Sequence, residues 1–135
     1  MIYGIGTDIV TISRIERLYK KYGITFAERM LSRIELLEFT DASDQVNFLA
    51  KRFAAKEAFG KAVGTGLRVP VTLRQIGVGH DALGKPEFIC EPELQQWLNK
   101  KRIQEVHLSF SDEKGQVIAF AIAENSFLMI EGYST

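Results

Sequence analysis

A chain of 135 residues, 46% of them hydrophobic, is long enough for one domain with its own core and short for two, so a single domain over 1–135 is expected. Lys and Arg number 17 and Asp and Glu 17, a formal charge of zero, which removes the global signal of a nucleic-acid or membrane-surface binder and leaves a local patch to meet any charged partner. The single cysteine, Cys90, excludes an intrachain disulfide and every Cys-spaced zinc motif, and fits a reducing compartment such as the cytoplasm.

The start, Met1-Ile2-Tyr3-Gly4-Ile5-Gly6, lacks the basic segment and long apolar stretch of an export signal. Residues 2 to 10 mix β-branched residues with two glycines and read as a strand that lets another backbone approach closely, with Asp8 near its end. Ser13 and Glu16 have capping-box spacing, Ile12, Ile15, Leu18, Tyr19 and Tyr22 share one helical face, and Gly23 is the stop. The other side of this helix carries Arg14, Arg17 and Lys21, a basic stripe on a neutral protein. Thr25 with Glu28 and Ser32 with Glu35 are two further capping boxes, starting short helices that reach Thr40. From about Ser43 to Val63 the spacing predicts the longest helix, ended by Gly64-Thr65-Gly66. Ala55, Ala58, Phe59 and Ala62 give it a small-residue packing face, while Phe53, Glu57, Gly60, Lys61 and Gly64 form a face unlike a core face.

The remainder is strand-rich: 75–80 and 87–90 around the turn Asp81 to Pro86, a helix from Pro92 to about Arg102, then 105–110 and 116–124 flanking the turn Asp112-Glu113-Lys114-Gly115. The longest apolar run, Val117 to Ala123, is too short to span a bilayer. The elements lack a βαβ rhythm, so an α+β fold with an antiparallel-dominated sheet is expected. The tail is partly apolar at Phe127 to Ile130 and could dock on a neighbour.

A strand-end aspartate such as Asp8 is in most proteins a turn residue or helix cap, and Glu57 with Lys61 has the spacing of an ordinary surface ion pair. Their setting argues otherwise. Arg52, Lys56, Glu57 and Lys61 precede a glycine turn, one acid among bases, which suits an anionic ligand. A hard cation such as Mg²⁺ takes one or two carboxylates and fills its shell with water and phosphate oxygens. Asp8 and Glu57 could supply that pair, the bases could neutralise phosphates, and the implied ligand is a diphosphate. Gly60-Lys61 is not a P-loop, since Ala62 replaces the hydroxyl residue. His80 and His107 read as structural or surface histidines, and Ser109 and Ser111 lack the context of a nucleophile.

Two segments together resemble the signature of the holo-[acyl-carrier-protein] synthase family: Gly4-Ile5-Gly6-Thr7-Asp8-Ile9-Val10 with Ile12 to Ile15, and Arg52-Phe53-Ala54-Ala55-Lys56-Glu57-Ala58-Phe59-Gly60-Lys61-Ala62 with Gly64-Thr65-Gly66. The similarity extends through Leu83-Gly84-Lys85-Pro86, Val106 to Ser109 and the last strand, leaving the tail from about Asn125 individual. The resemblance implies a Mg²⁺-dependent transfer of 4′-phosphopantetheine from coenzyme A to a serine of apo acyl carrier protein, in support of fatty acid biosynthesis. It implies that Asp8 and Glu57 are the metal ligands and, with Lys61, the catalytic set. It also implies that Arg52, Phe53, Lys61, Gly64 and Pro86 meet the coenzyme, that Arg14, Arg17 and Lys21 receive the acidic carrier, and that the enzyme is a homotrimer.

Some family members carry a histidine where this chain has Asp112, so a histidine base cannot be carried over. Metal-bound water, Asp8, Glu57 or Asp112 could take the proton of the carrier serine. The competing class is a non-catalytic module that binds an acidic protein or nucleotide through the same basic residues, and chelation separates the two.

Overall fold

A computed structural model describes residues 1–125; the apolar tail segment from Phe127 to Ile130 lies outside them. Ten elements follow in chain order: β1 (Ile2–Thr11), α1 (Ile12–Tyr22), α2 (Ile24–Met30), α3 (Arg33–Thr40), α4 (Gln45–Ala62), β2 (Ile76–His80), β3 (Pro86–Cys90), α5 (Pro92–Lys100), β4 (Ile103–Glu113) and β5 (Gln116–Asn125). The strands form a three-stranded sheet in the order β1-β5-β4 and a two-stranded hairpin of β2 and β3, every pairing antiparallel, so the fold is the expected α+β.

β5 alternates strictly: Val117, Ala119, Ala121 and Ala123 are buried, and α4 lies against that side of the sheet. Small residues on both partners bring helix and sheet close. A Cβ on Gly4 would stand 2.0 Å from the Ala62 carbonyl oxygen, and one on Gly6 2.1 Å from that of Ala58, so β1 accommodates α4 at this distance through glycine alone. Register puts Asp8 on the same inward side as Gly4 and Gly6, opposite Ala119. The outward side has Ile5 opposite Ile122, Thr7 opposite Phe120 and Ile9 opposite Ile118. Ile5 is 55%, Ile9 59%, Ile118 40% and Phe120 39% exposed, an apolar sheet face with no covering layer among the described residues.

Two of the three expected capping boxes do not form. β1 runs directly into α1, with Ile12 N–H bonded to Gly115 O at 2.9 Å, so the helix begins before Ser13 and its cap Thr11 makes no side-chain bond. Gly23, at φ 61°, ends α1 and caps α2 together, which leaves Thr25 inside the first turn of α2. The box of Ser32 and Glu35 is present at the start of α3. Tyr22, expected on the packed face of α1, is 52% exposed, with the Lys21 ammonium over its ring at 5.2 Å. The last hairpin is tighter than the composition suggests. The β4 and β5 strands run to Glu113 and Gln116, and the turn is Lys114-Gly115 with φ of 48° and 79°, the left-handed pair that a two-residue hairpin needs.

Candidate active site

α4 carries the charged residues that sequence reasoning gathered into one cluster, and the structure splits them between two flanks of the helix. Glu57 and Lys61, one turn apart, lie toward β1. Lys61 Nζ donates to Thr7 O at 2.9 Å and to Asp8 Oδ1 at 3.3 Å, so strand end and helix meet through side chains as well as through the glycine contacts. Burial, and next the neighbouring Asp8 carboxylate, raise the pKa of Glu57, against the opposing pull of Lys61 and Arg14. A carboxylate whose ionisation is opposed by a second carboxylate beside it is relieved by a cation. Among the described residues no three His, Cys, Asp or Glu converge to hold a metal ion. A pair of carboxylates is the donor type that suits a hard ion, such as Mg²⁺, which fills its shell with water and phosphate oxygens. The glycine turn closes this end of the helix: Gly64, Thr65 and Gly66 all donate backbone N–H groups to Gly60 O, at 3.1, 3.2 and 3.0 Å. A Cβ on Gly60 would come within 2.9 Å of Gly66, so the turn folds flat onto the helix at Gly60.

The other flank corrects the expectation of one acid among bases. Lys56 is fully buried, and its ammonium donates to Met30 O, Leu73 O and Glu35 Oε1 rather than facing a ligand. Burial pushes its pKa down to about 8, against the pull of Glu35. Arg52 is buried with it, its Nε 3.4 Å from Glu35 Oε2 and its guanidinium 3.5 Å from the Phe48 ring centroid. That Nε has no hydrogen-bond partner among the described residues, and Arg52 lines an open groove of about 320 Å³ with Lys51, His80, Phe48 and Phe110. Basic groups beside two aromatic rings suit an anionic ligand with a flat ring. Phe53 is half-buried against the core, and Pro86 starts β3 beside a smaller cavity with Lys85 and His107.

Arg14, Arg17 and Lys21 are all exposed on α1. Arg14 also acts electrostatically on Glu57, so the basic stripe reaches the carboxylate pair. Asp112 sits on β4, across β5 from β1, 3.7 Å from the Lys51 ammonium. His107 is bonded to Glu124 at 2.9 Å. Sequence reasoning read Glu35 only as a helix cap and missed its burial. The signal was available in α4, where Leu49, Arg52, Lys56 and Phe59, continued by Val63 at the helix cap, follow one stripe whose other members are apolar.

Residues 4–121, nearly the whole described chain, match the family described as the 4′-phosphopantetheinyl transferase superfamily. The holo-[acyl-carrier-protein] synthase of Neisseria meningitidis serogroup A is 64% identical over 124 residues, 92% of this chain and 99% of that protein. A crystal structure of the Neisseria meningitidis holo-[acyl-carrier-protein] synthase superposes with a TM-score of 0.91 at 62% identity, covering 93% of this chain and 100% of that one. The Bacillus anthracis holo-(acyl-carrier-protein) synthase, solved in complex with CoA (3′,5′-ADP), gives 0.78 at 38% identity, covering 93% and 99%. The chain belongs to the 4′-phosphopantetheinyl transferase superfamily, and within it to the holo-[acyl-carrier-protein] synthases.

Proposed function

We propose that this chain is one transferase domain that moves the 4′-phosphopantetheine group of coenzyme A onto a serine of apo acyl carrier protein, with Asp8 and Glu57 as ligands of Mg²⁺. The observation that carries the reading is the meeting of Asp8, Glu57 and Lys61 where β1 crosses α4, in a chain of this family. The carrier serine Oγ attacks the β-phosphorus, the bond from that phosphorus to the bridging oxygen breaks, and adenosine 3′,5′-bisphosphate leaves with that oxygen. Bound at the pair, Mg²⁺ supplies charge neutralisation on the diphosphate. Lys61 exchanges its bond to Asp8 for a phosphate oxygen, and its ammonium stabilises charge as it shifts to the leaving group. Asp112 is held by Lys51 across the sheet, which leaves the carboxylates of the pair or water held beside them to accept the serine proton.

The groove lined by Lys51, Arg52, Phe48 and Phe110 suits the phosphorylated adenosine end, with Phe53, Gly64 and Pro86 as the other coenzyme contacts. Arg52 and the Asp8–Glu57 pair occupy opposite flanks of α4, so one coenzyme reaches both sets most simply between two copies. The outward apolar face of β1 and β5 is the surface we assign to that assembly, a homotrimer. Arg14, Arg17 and Lys21 receive the acidic carrier. Among the described residues no helix is long and apolar enough to cross a membrane, and the free thiol of Cys90 is consistent with work in the cytoplasm.

Intact-mass analysis of an apo acyl carrier protein incubated with this protein, coenzyme A and Mg²⁺ tests the reading. The expected result is a gain of one phosphopantetheine arm, abolished by chelation and by Asp8→Ala. No gain with a folded protein and several apo carriers would overturn it.

A further inference from the structure

Resting on the transferase reading above, we infer that Glu35 and Lys56 are positioning residues. Their buried junction fixes how α4 is rotated, and thereby aims Glu57 and Lys61 at β1. An ammonium has three donors, and Lys56 spends each on a different segment: Met30 O at the end of α2 at 2.7 Å, Leu73 O before β2 at 2.9 Å, and Glu35 Oε1 on α3. Glu35 is equally committed. Its Oε1 also accepts from Ser32 N–H at 2.8 Å and its Oε2 from Val78 N–H at 3.0 Å. One carboxylate thus ties the start of α3 and the middle of β2 to α4.

Adjacent helix positions point about 100° apart, so anchoring Lys56 sets the direction of its neighbour Glu57. On the opposite flank Gly4 and Gly6 hold Ala62 and Ala58 at backbone contact, so any turn of α4 collides with β1 or breaks the junction. Val78 is two residues from His80, which pairs with Pro86, so the same junction also registers the β2–β3 hairpin against α4. A buried ion pair is a poor way to gain stability, because apolar residues of the same volume commonly do as well. What it adds is direction, since hydrogen bonds constrain angles that hydrophobic packing leaves soft.

The test uses Lys56→Met and the apolar double variant Glu35→Leu/Lys56→Met, each assayed well below its own unfolding temperature with circular dichroism confirming the fold. Coenzyme A affinity is read by calorimetry, and kcat and carrier KM by the mass assay. The expected outcome is a fall in kcat of about a hundredfold, the cost of a misplacement near 1 Å, with weakened coenzyme binding and an unchanged carrier KM. The double variant still leaves Arg52 buried without the Glu35 carboxylate, so it is expected to recover only part of the thermal stability lost in Lys56→Met, and not kcat. If kcat and coenzyme affinity stay within about twofold of wild type in the double variant, the junction is structural and the inference fails. Should Lys56→Met not fold, the double variant alone decides. An inactive wild type would instead sink the transferase reading.

Discussion

Lys56 and Lys61 lie on one helix little more than a turn apart, and each faces a carboxylate, yet their surroundings differ throughout. Lys56 is buried with all three donors satisfied, and its partner Glu35 is 1% exposed. The Lys61 side chain is 54% exposed, its contact with Asp8 is a long 3.3 Å, and the nearby Glu57 bears a pKa raised by burial and, next, by the Asp8 carboxylate. A satisfied, buried pair has nothing left to offer a ligand. A crowded, half-solvated set has unmet demand, and a cation or a phosphate meets it at little cost in reorganisation. Charge type is the same on both flanks of α4; burial and satisfaction separate scaffold from chemistry.

The largest expected effect breaks the scaffold side. Glu35→Ala leaves Lys56 and Arg52 buried without their carboxylate, and should lower stability by about 3–5 kcal/mol in urea or guanidinium unfolding. A loss below about 1 kcal/mol would mean that the flank is as loosely held as a surface pair. On the other flank the balance reverses. Asp8→Ala or Glu57→Ala should cut the turnover of apo carrier by roughly a thousandfold, about 4 kcal/mol of barrier, while the unfolding midpoint moves little. Near wild-type rates in both variants would remove the metal assignment.

The same contrast explains what could be read from the sequence. Asp8 and Glu57 were legible as a pair because glycines flank one and a glycine turn follows the other, and because both fall in motifs of one family. The amphipathic face of α1, the presence of the last hairpin though not its two-residue turn, and the small-residue face of α4 were legible through periodicity and turn chemistry, since local rules set them. The apolar stripe of α4 marks Lys56 and Arg52 as buried and apart from Lys61, but their partner was not legible, because Glu35 comes from another helix and enters the core through a tertiary contact. Two capping boxes failed for a related reason: the pairing of Ile12 with Gly115 and the conformation of Gly23 overrode a local signal. The groove at Arg52 is likewise built from α4, β2 and β4 together, and no spacing along the chain announces it.

Titration sharpens the comparison further. Asp8 raises the proton affinity of Glu57, so Asp8→Asn should lower the pKa of Glu57, though not fully, because burial is the larger cause; Lys61→Ala should raise it. Carbon-detected NMR of the Glu57 carboxyl reads both. The sign for stability follows from linkage. A folded-state pKa above the unfolded value contributes stability that is present at low pH and lost as pH rises through the folded pKa, so wild type should lose relative to Asp8→Asn across that window. For turnover the direction is opposite, since the pair must be ionised to hold a cation, and activity should fall as pH drops through the raised pKa of Glu57.

The smallest effect expected lies on α1, away from both flanks of α4. Arg14 influences Glu57, so its replacement would mix docking with chemistry; Arg17, exposed one turn further along the stripe, gives the cleaner test. Arg17→Glu should raise the carrier KM by about three- to tenfold at low salt while leaving coenzyme affinity and kcat unchanged, because a rim charge acts on encounter and not on the transition state. The difference from wild type should shrink as salt is added, since charges at the surface are screened over about 8–10 Å at physiological ionic strength. A carrier KM that is indifferent to both the substitution and the salt would make the stripe an ordinary solvated helix face, and would shift carrier recognition to the exposed apolar residues Tyr22 and Ile24 where α1 meets α2.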